Sequence, residues 1–239
     1  MIAYGKLYIV STPIGNLKDI TLRAIEVLRE CDIIVAEEAK PTRALLRAYE
    51  IEKPLIFLNE HSTKEIEDEI IAELENGKNI ALISDCGTPL VADPGARLIT
   101  LCIDRGISMT AIPGASSILS ALVVCGFPLD KFAFVGFLPR EKSERKQAAL
   151  SLRSRPETLI ILEAPYRLSQ LLSDLDDGIG GKRECVVCTN LTMPNEKIHR
   201  GSIMEIKEHF TASPFKGEFV VILRGNGDRK LTANQHRKH

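Results

Sequence analysis

Two rhythms of apolar residues alternate along the first half of the chain. Short continuous runs read as buried strands: Leu7 to Val10, Ile33 to Ala36, Leu55 to Leu58, Ile80 to Ile83, and Ser108 to Ile112. Between them the apolar positions fall at helical spacing. Leu22, Ile25 and Leu28 mark a helix from about Thr21 to Glu30. Pro41 opens a short helix through Leu45 and Leu46. Ser62 and Glu65 form a capping-box pattern ahead of Ile66, Ile70, Ile71 and Leu74, and Gly77 ends that helix. Leu98, Ile99, Leu101, Cys102 and Ile103 line the next. A helix of small residues, Ala115, Ser116, Ser117, Ser120 and Ala121, follows Pro113-Gly114. Strand and helix in this alternation predict an α/β fold with a mostly parallel sheet covered on both faces.

The rhythm pauses at Gly126-Phe127-Pro128, which places a domain boundary there: 1–125 and 126–225, with a polar tail from 226 to 239. In the second half, strands are expected at 132–137, 158–162, 184–188 and 219–223, with a short piece at 197–200. Helices are expected up to Leu152, from Tyr166 to Leu175, and from Met204 to Phe210. Late strands joined by short turns predict a mixed sheet.

The strand ends carry small and polar residues. Ser11 to Asn16 follows the first strand, Glu37-Glu38 the second, and Ser84 to Gly95 the fourth. In an open α/β sheet, ligands bind just beyond the carboxyl ends of the strands. The first loop is not G-x-G-x-x-G, and G-x-x-x-x-G-K-[ST] and G-x-S-x-G are absent, which argues against a dinucleotide site, a P-loop and a serine nucleophile. His61 and His199 read as solvated or structural. With little positive charge near them, these loops disfavour a phosphate-rich ligand. They suit a cationic, largely apolar one such as S-adenosylmethionine without identifying it.

Composition adds boundaries. Charged residues are 26 % of 239 and the net charge is −1, so no global basic field exists for nucleic acid. No apolar run approaches the ~20 residues of a membrane span. The start, Met1 to Lys6, lacks the shape of a signal peptide, and a cytoplasmic enzyme is expected. Cys31, Cys86, Cys102 and Cys125 read as buried small hydrophobes. Cys185 and Cys188 are three apart on an expected strand and so point to opposite faces. Neither a metal nor a disulfide is expected.

The stretch from Leu7 to Ala24 strongly resembles the opening of the ribosomal RNA small-subunit methyltransferase I family, a branch of the tetrapyrrole methylases. Ser84 to Gly95, Pro113 to Ser117, Gly136 to Arg140, Glu163 to Leu168 and Lys216 to Phe219 resemble its later signatures. The resemblance implies two α/β domains with S-adenosylmethionine in the cleft between them. It also implies a homodimer, and methylation of the ribose 2′-hydroxyl of a cytidine in small-subunit ribosomal RNA. Carried over by motif, the cofactor would touch Pro13, Asp85, Gly87, Val91, Ser116, Ser117 and Glu163, and backbone near Leu191 and Thr192. The proton acceptor is sought among Glu37, Glu38, Glu163, Lys216 and Glu218, with Lys216, Glu218 and Glu37 foremost.

The chain departs from the family pattern at Ala39, Tyr166, Asn190 and Met193, where polar or basic residues are usual. Lost basic residues bear on phosphate contacts more than on the cofactor. Two other readings therefore stay open: a tetrapyrrole or modified-protein acceptor with the same cofactor, and a cofactor-binding module without activity. The dense basic segment Arg140, Lys142, Arg145 and Lys146 favours RNA and is the expected phosphate contact.

Overall fold

A computed structural model describes residues 4–227. The start of the chain up to Ala3, and the expected tail beyond Gly227, lie outside the described residues. The chain divides into two units, Met1–Ser116 and Ser117–His239.

The first unit runs β1 (Lys6–Val10), α1 (Leu22–Glu30), β2 (Ile33–Ala36), α2 (Ala39–Ala48), β3 (Leu55–Phe57), α3 (Lys64–Glu75), β4 (Ile80–Ile83), α4 (Ala96–Arg105) and β5 (Ser108–Ile112). Its sheet has the order β3-β2-β4-β1-β5, and every pair is parallel. Alternate strand residues feed two cores. Leu7, Ile33, Val35, Ile80 and Leu82 pack with Ile70 and Leu74 of α3 and with Leu98 and Cys102 of α4. Val10, Ile34, Ala36, Ala81, Ile83 and Ile112 pack with Ala24 and Leu28 of α1 and with Leu45 and Leu46 of α2. The chain after β1 thus leads to one face of the sheet, and the chain after the adjacent β4 to the other. Adjacent strands whose connections part in this way define a topological switch point, where open α/β sheets bind ligands.

The second unit runs α5 (Ser117–Cys125), β6 (Phe132–Phe137), α6 (Lys142–Ser151), β7 (Thr158–Leu162), α7 (Leu168–Ile179), β8 (Glu184–Thr189), β9 (Lys197–Ser202), α8 (Ile203–Ala212) and β10 (Phe219–Leu223). The sheet is mixed, in the order β6-β7-β10-β8-β9, with only β6 and β7 parallel. The division between units falls one helix before the pause at Gly126, because α5 packs against β10. Helices α6, α7 and α8 cover one face through Ala149, Leu171, Leu175, Ile206 and Phe210. Gly178 allows α7 to meet α6 closely, since a Cβ there would lie 2.9 Å from the backbone of Ala149 and Leu150.

Two local expectations are corrected. The N-cap of α3 is Thr63, and Ser62 Oγ instead accepts from the Asn59 amide at 2.9 Å, so no capping box forms there. The box occurs at Ser202 and Glu205, at the start of α8. Pro41 is the third residue of α2 rather than its first, which a helix tolerates because first-turn N–H groups have no intrahelical acceptor.

Arg145 requires a larger correction. The sequence groups it with Arg140, Lys142 and Lys146 as an RNA contact, yet it is only 6 % exposed. Its Nε donates to Asp174 Oδ2 at 2.5 Å and its guanidinium also donates to the Arg140 carbonyl at 2.8 Å. Gln170 Nε2 donates to the same carboxylate at 3.2 Å. The ion pair joins α6 to α7, whereas Arg140, Lys142 and Lys146 are exposed. Breaking such a pair leaves a buried charge without compensation. Arg145→Ala should therefore cost about 3–5 kcal/mol, while Lys142→Ala and Lys146→Ala should each change stability by less than about 0.5 kcal/mol. Urea titrations of the three variants check this, and an unshifted Arg145→Ala midpoint would return that arginine to the surface.

Candidate functional site

The carboxyl ends of the first sheet are flush. Register aligns Val10 with both Ile83 and Ile112, and Val35 with Leu82. The loops that leave these strands are then joined to one another. The Thr12 amide donates to the Gly87 carbonyl at 2.8 Å, and the Gly87 amide returns a bond to the Thr12 carbonyl at 3.2 Å. This isolated antiparallel bridge links the two loops at the switch point. Buried hydroxyls complete it. Thr12 Oγ1 donates to the Ser84 carbonyl at 3.1 Å, and Ser84 Oγ to the Gly87 carbonyl at 3.2 Å. Ser11 Oγ and Thr88 Oγ1 share a hydrogen bond of 3.0 Å, and the Ser11 amide reaches the Ile112 carbonyl at 3.1 Å. Gly87 is required, since its φ of +87° is one that L side chains rarely adopt and a Cβ would press on Ile14 at 3.3 Å.

Four acidic groups gather on this edge. Asp85 Oδ1 accepts from the Glu38 amide at 3.2 Å, which ties the β2 and β4 loops together. Burial raises the Asp85 carboxyl above its ordinary range. Burial also pushes Asp93 up to about 6, against the lowering effect of a Ser84 hydrogen bond. Glu37 is pushed up to about 7, first by burial and then by the charges of Asp93 and Asp85. The edge of the first unit is therefore suited to a cation or a proton and unsuited to a phosphate.

The second unit gathers its own residues at one end of its sheet. Phe219 pairs with Thr189, and Val220 with Leu162, so the chain after β7, the chain after β8 and the chain before β10 meet there. The Gly217 amide donates to the Pro165 carbonyl at 3.1 Å, and the Asn190 amide to the Glu218 carbonyl at 2.9 Å. Glu163, Leu191, Thr192, Lys216 and Glu218 all belong to these segments. Glu163 is 6 % exposed. Its Oε1 accepts from the Ala164 amide at 2.9 Å and lies 3.4 Å from Arg167, while its buried Oε2 meets no donor in the protein. A buried acceptor without a donor is costly, and here it is a feature that a ligand hydroxyl or amine would satisfy. Burial also raises the Glu218 carboxyl.

Backbone strain points to the same loops. Among the described residues, five non-glycine residues have positive φ, and four of them are Leu90, Ala92, Asn190 and Thr192. Such residues cost about 1–3 kcal/mol each and persist where surrounding structure imposes them, commonly at binding sites.

Residues 6–207 match the model of the tetrapyrrole (corrin/porphyrin) methylases. A Thermotoga maritima protein named ribosomal RNA small subunit methyltransferase I is 42 % identical over 92 % of this chain and 99 % of its own length. The chain belongs to this methyltransferase family. The Bacillus subtilis member of that name is 40 % identical over 98 % of this chain and 84 % of its own. Among solved structures, a diphthine synthase aligns with a TM-score of 0.71 at 16 % identity, over 92 % of this chain and 90 % of that one. A Thermus thermophilus uroporphyrin-III C-methyltransferase, complexed with S-adenosylhomocysteine, aligns at 0.65 and 18 %, over 92 % and 97 %. At these identities the two structures speak to the fold.

Within the family fold, Pro13, Glu37, Glu38, Asp85, Gly87, Val91 and Ser116 stand at one end of the first sheet, and Glu163, Leu191, Thr192, Lys216 and Glu218 at one end of the second. Ser117 opens α5. Sequence reasoning held Thr88 and Asp93 within the Ser84-to-Gly95 loop and Arg167 within the Glu163-to-Leu168 signature, but gave none of the three a role of its own. Arg167 meets Glu163 across the turn between β7 and α7, closed by the Arg167 amide donating to the Ala164 carbonyl at 2.9 Å, an arrangement that helical spacing does not announce.

Stability should carry the mark of the acidic edge. A carboxyl whose pKa is higher in the folded than in the unfolded chain keeps its proton longer when folded, so its stabilising effect is lost as pH rises. For Glu37 the window runs from the ordinary 4.5 to about 7. Glu37→Gln should raise the urea midpoint above pH 7 and leave it unchanged near pH 4.5. Equal midpoints at both pH values would show that Glu37 is fully solvated.

Proposed function

We propose that the chain is an S-adenosylmethionine-dependent methyltransferase acting on small-subunit ribosomal RNA, at the ribose 2′-hydroxyl of a cytidine, as a cytoplasmic homodimer. The observation that carries the reading is family membership through relatives of about 40 % identity over more than nine-tenths of this chain, all named for that RNA. The site chemistry supports the cofactor. The first sheet's switch point offers backbone around Pro13, Gly87, Val91 and Ser116, with Ser117 next in sequence, and carboxylates suited to a cation. Glu163 offers an acceptor in need of a donor. The strained backbone at Leu191 and Thr192 supports a binding role for that loop.

The cofactor supplies an electrophilic methyl group when bound. The chain has two tasks: to hold the acceptor hydroxyl in line with it, and to take that hydroxyl's proton. Glu37 and Glu218 have raised pKa values, which brings a carboxylate nearer to the working range of a general base. Lys216 is exposed beside Glu218, in position to meet a phosphate or the acceptor.

Calorimetry with S-adenosylhomocysteine tests the cofactor reading. Wild type should bind, Asp85→Arg should abolish binding, and Glu163→Ala should weaken it roughly ten- to hundredfold, as expected for losing a hydrogen bond to a charged group. Mass mapping of small-subunit rRNA from cells with and without the protein tests the acceptor. The RNA fragment from cells that contain it should be heavier by one methyl group, and identical maps would remove the RNA reading.

A further inference from the structure

The loop edge of the first unit's sheet is acidic, so an RNA acceptor needs phosphate contacts on the second unit, beyond the single exposed Lys216 at its loop end. We propose that a cationic cleft at the opposite end of the second unit's sheet is a phosphate-contact site for ribosomal RNA; the proposal rests on the RNA reading above. The cleft lies where β10 ends and β8 begins, and has a volume of about 590 Å³. Arg153, Lys182, Arg183 and Arg224 line it, against the single carboxylate of Glu184. The five residues of β10 separate it from Glu218, roughly 15 Å at the usual rise per residue.

The four cations have different tasks. Arg183 builds the cleft. Its Nε donates to the Arg224 carbonyl at 2.6 Å, and its terminal nitrogens donate to the carbonyls of Leu152 at 2.7 Å and Arg155 at 3.3 Å. One guanidinium thus joins the segment after α6, the start of β8 and the segment after β10. Arg224 is half committed: it pairs with Glu184 and lies 6.0 Å from the Phe127 ring, but its buried Nε meets no acceptor in the protein. Arg153 and Lys182 are exposed at the rim.

A plainer account is that Lys182 and its neighbours offset the negative end of α7, whose last residue, Ile179, also lines the cleft. A helix end carries only about half a charge, which one of these cations would offset. Three further cations, less the one carboxylate, leave a positive excess in a chain whose net charge is −1. An anion with several oxygens can engage the exposed Arg153 and Lys182 together in the positive field of Arg183 and Arg224, and guanidinium groups pair with phosphate in a fork geometry.

The test uses the full chain, a small-subunit rRNA fragment and a salt series, with wild type compared against Arg153→Ala/Lys182→Ala. Each phosphate contact contributes about 0.7–0.9 to the slope of log affinity against log salt, so loss of two contacts should flatten the slope by roughly 1.4–1.8. Affinity for S-adenosylhomocysteine and the urea midpoint should stay at wild-type values. Wild-type binding with the same affinity and slope in the double variant would overturn the cleft and leave the RNA reading standing. Absence of wild-type binding at low salt would overturn both. Titration with inorganic phosphate forms the last arm. If free phosphate binding is lost in the variant while RNA binding is not, the cleft is a small-anion site and the proposal fails.

Discussion

The pairing of Thr12 with Gly87 is the constraint on which the first unit's site depends. Adjacent parallel strands β1 and β4 send their chains to opposite faces of the sheet, which would leave two loops parting from each other. The reciprocal amide bonds hold them together at the moment they part. That closure needs a residue at position 87 whose backbone can turn through positive φ, and it buries the hydroxyls of Ser11, Thr12 and Ser84, each of which finds an oxygen partner. Because those polar groups are answered within the loops, the backbone beyond them can be strained at Leu90 and Ala92 without the strand ends loosening. The acidic edge follows from the same geometry. Once the β4 loop is pinned to β1, Asp85 is in reach of the Glu38 amide, and the desolvated carboxyls of Glu37 and Asp93 share one small region.

The second unit reaches a comparable result by other means. Its sheet is antiparallel at the working end, so neighbouring segments exchange backbone bonds directly, Asn190 with Glu218 and Gly217 with Pro165. The cost of holding Asn190 and Thr192 at positive φ is borne by that pairing and by the Glu196 carboxylate, which accepts from the Thr192 amide at 2.7 Å. In both units, then, the unusual backbone sits beside hydrogen bonds between loops as well as within one loop. A substitution that removes an inter-loop bond should therefore disturb the site before it disturbs the core.

Much of the fold was legible because it rests on local period. Uninterrupted runs such as Ile80 to Ile83 are buried on both faces of a parallel sheet and cannot be read as amphipathic helix. Helix starts were less legible. Ser62 and Glu65 have the spacing of a capping box, yet Ser62 is held in the turn after β3 by Asn59, and the helix begins one residue later. The domain boundary depended on where α5 packs, which composition does not record. In the site, the loops were found by their small residues, but the Thr12–Gly87 bridge joins positions 75 apart, and the strain at Leu90 and Ala92 leaves no trace in residue type.

Charge was the least legible property, and the arginines show why. Arg140, Lys142, Arg145 and Lys146 look alike along the sequence as one basic segment. On α6, a residue's fate depends on the helix face it occupies. Arg145 falls on the same buried face as Ala149, four residues on, and meets Asp174 across the α6–α7 contact that Gly178 keeps close. Lys142 and Lys146 fall on the solvent face, and Arg140 is exposed ahead of the helix. The reverse holds at the far end of the sheet, where Arg153, Lys182, Arg183 and Arg224 are dispersed in sequence and converge only because α6, β8 and β10 end or begin together. A guanidinium bonded to three carbonyls, as Arg183 is, carries the same formal charge as one open to solvent. It has fewer hydrogens left to offer, and its positive field acts on whatever the exposed cations beside it engage. A count of basic residues along the chain therefore overstates the surface at Arg145 and misses the one assembled by the fold around Arg183.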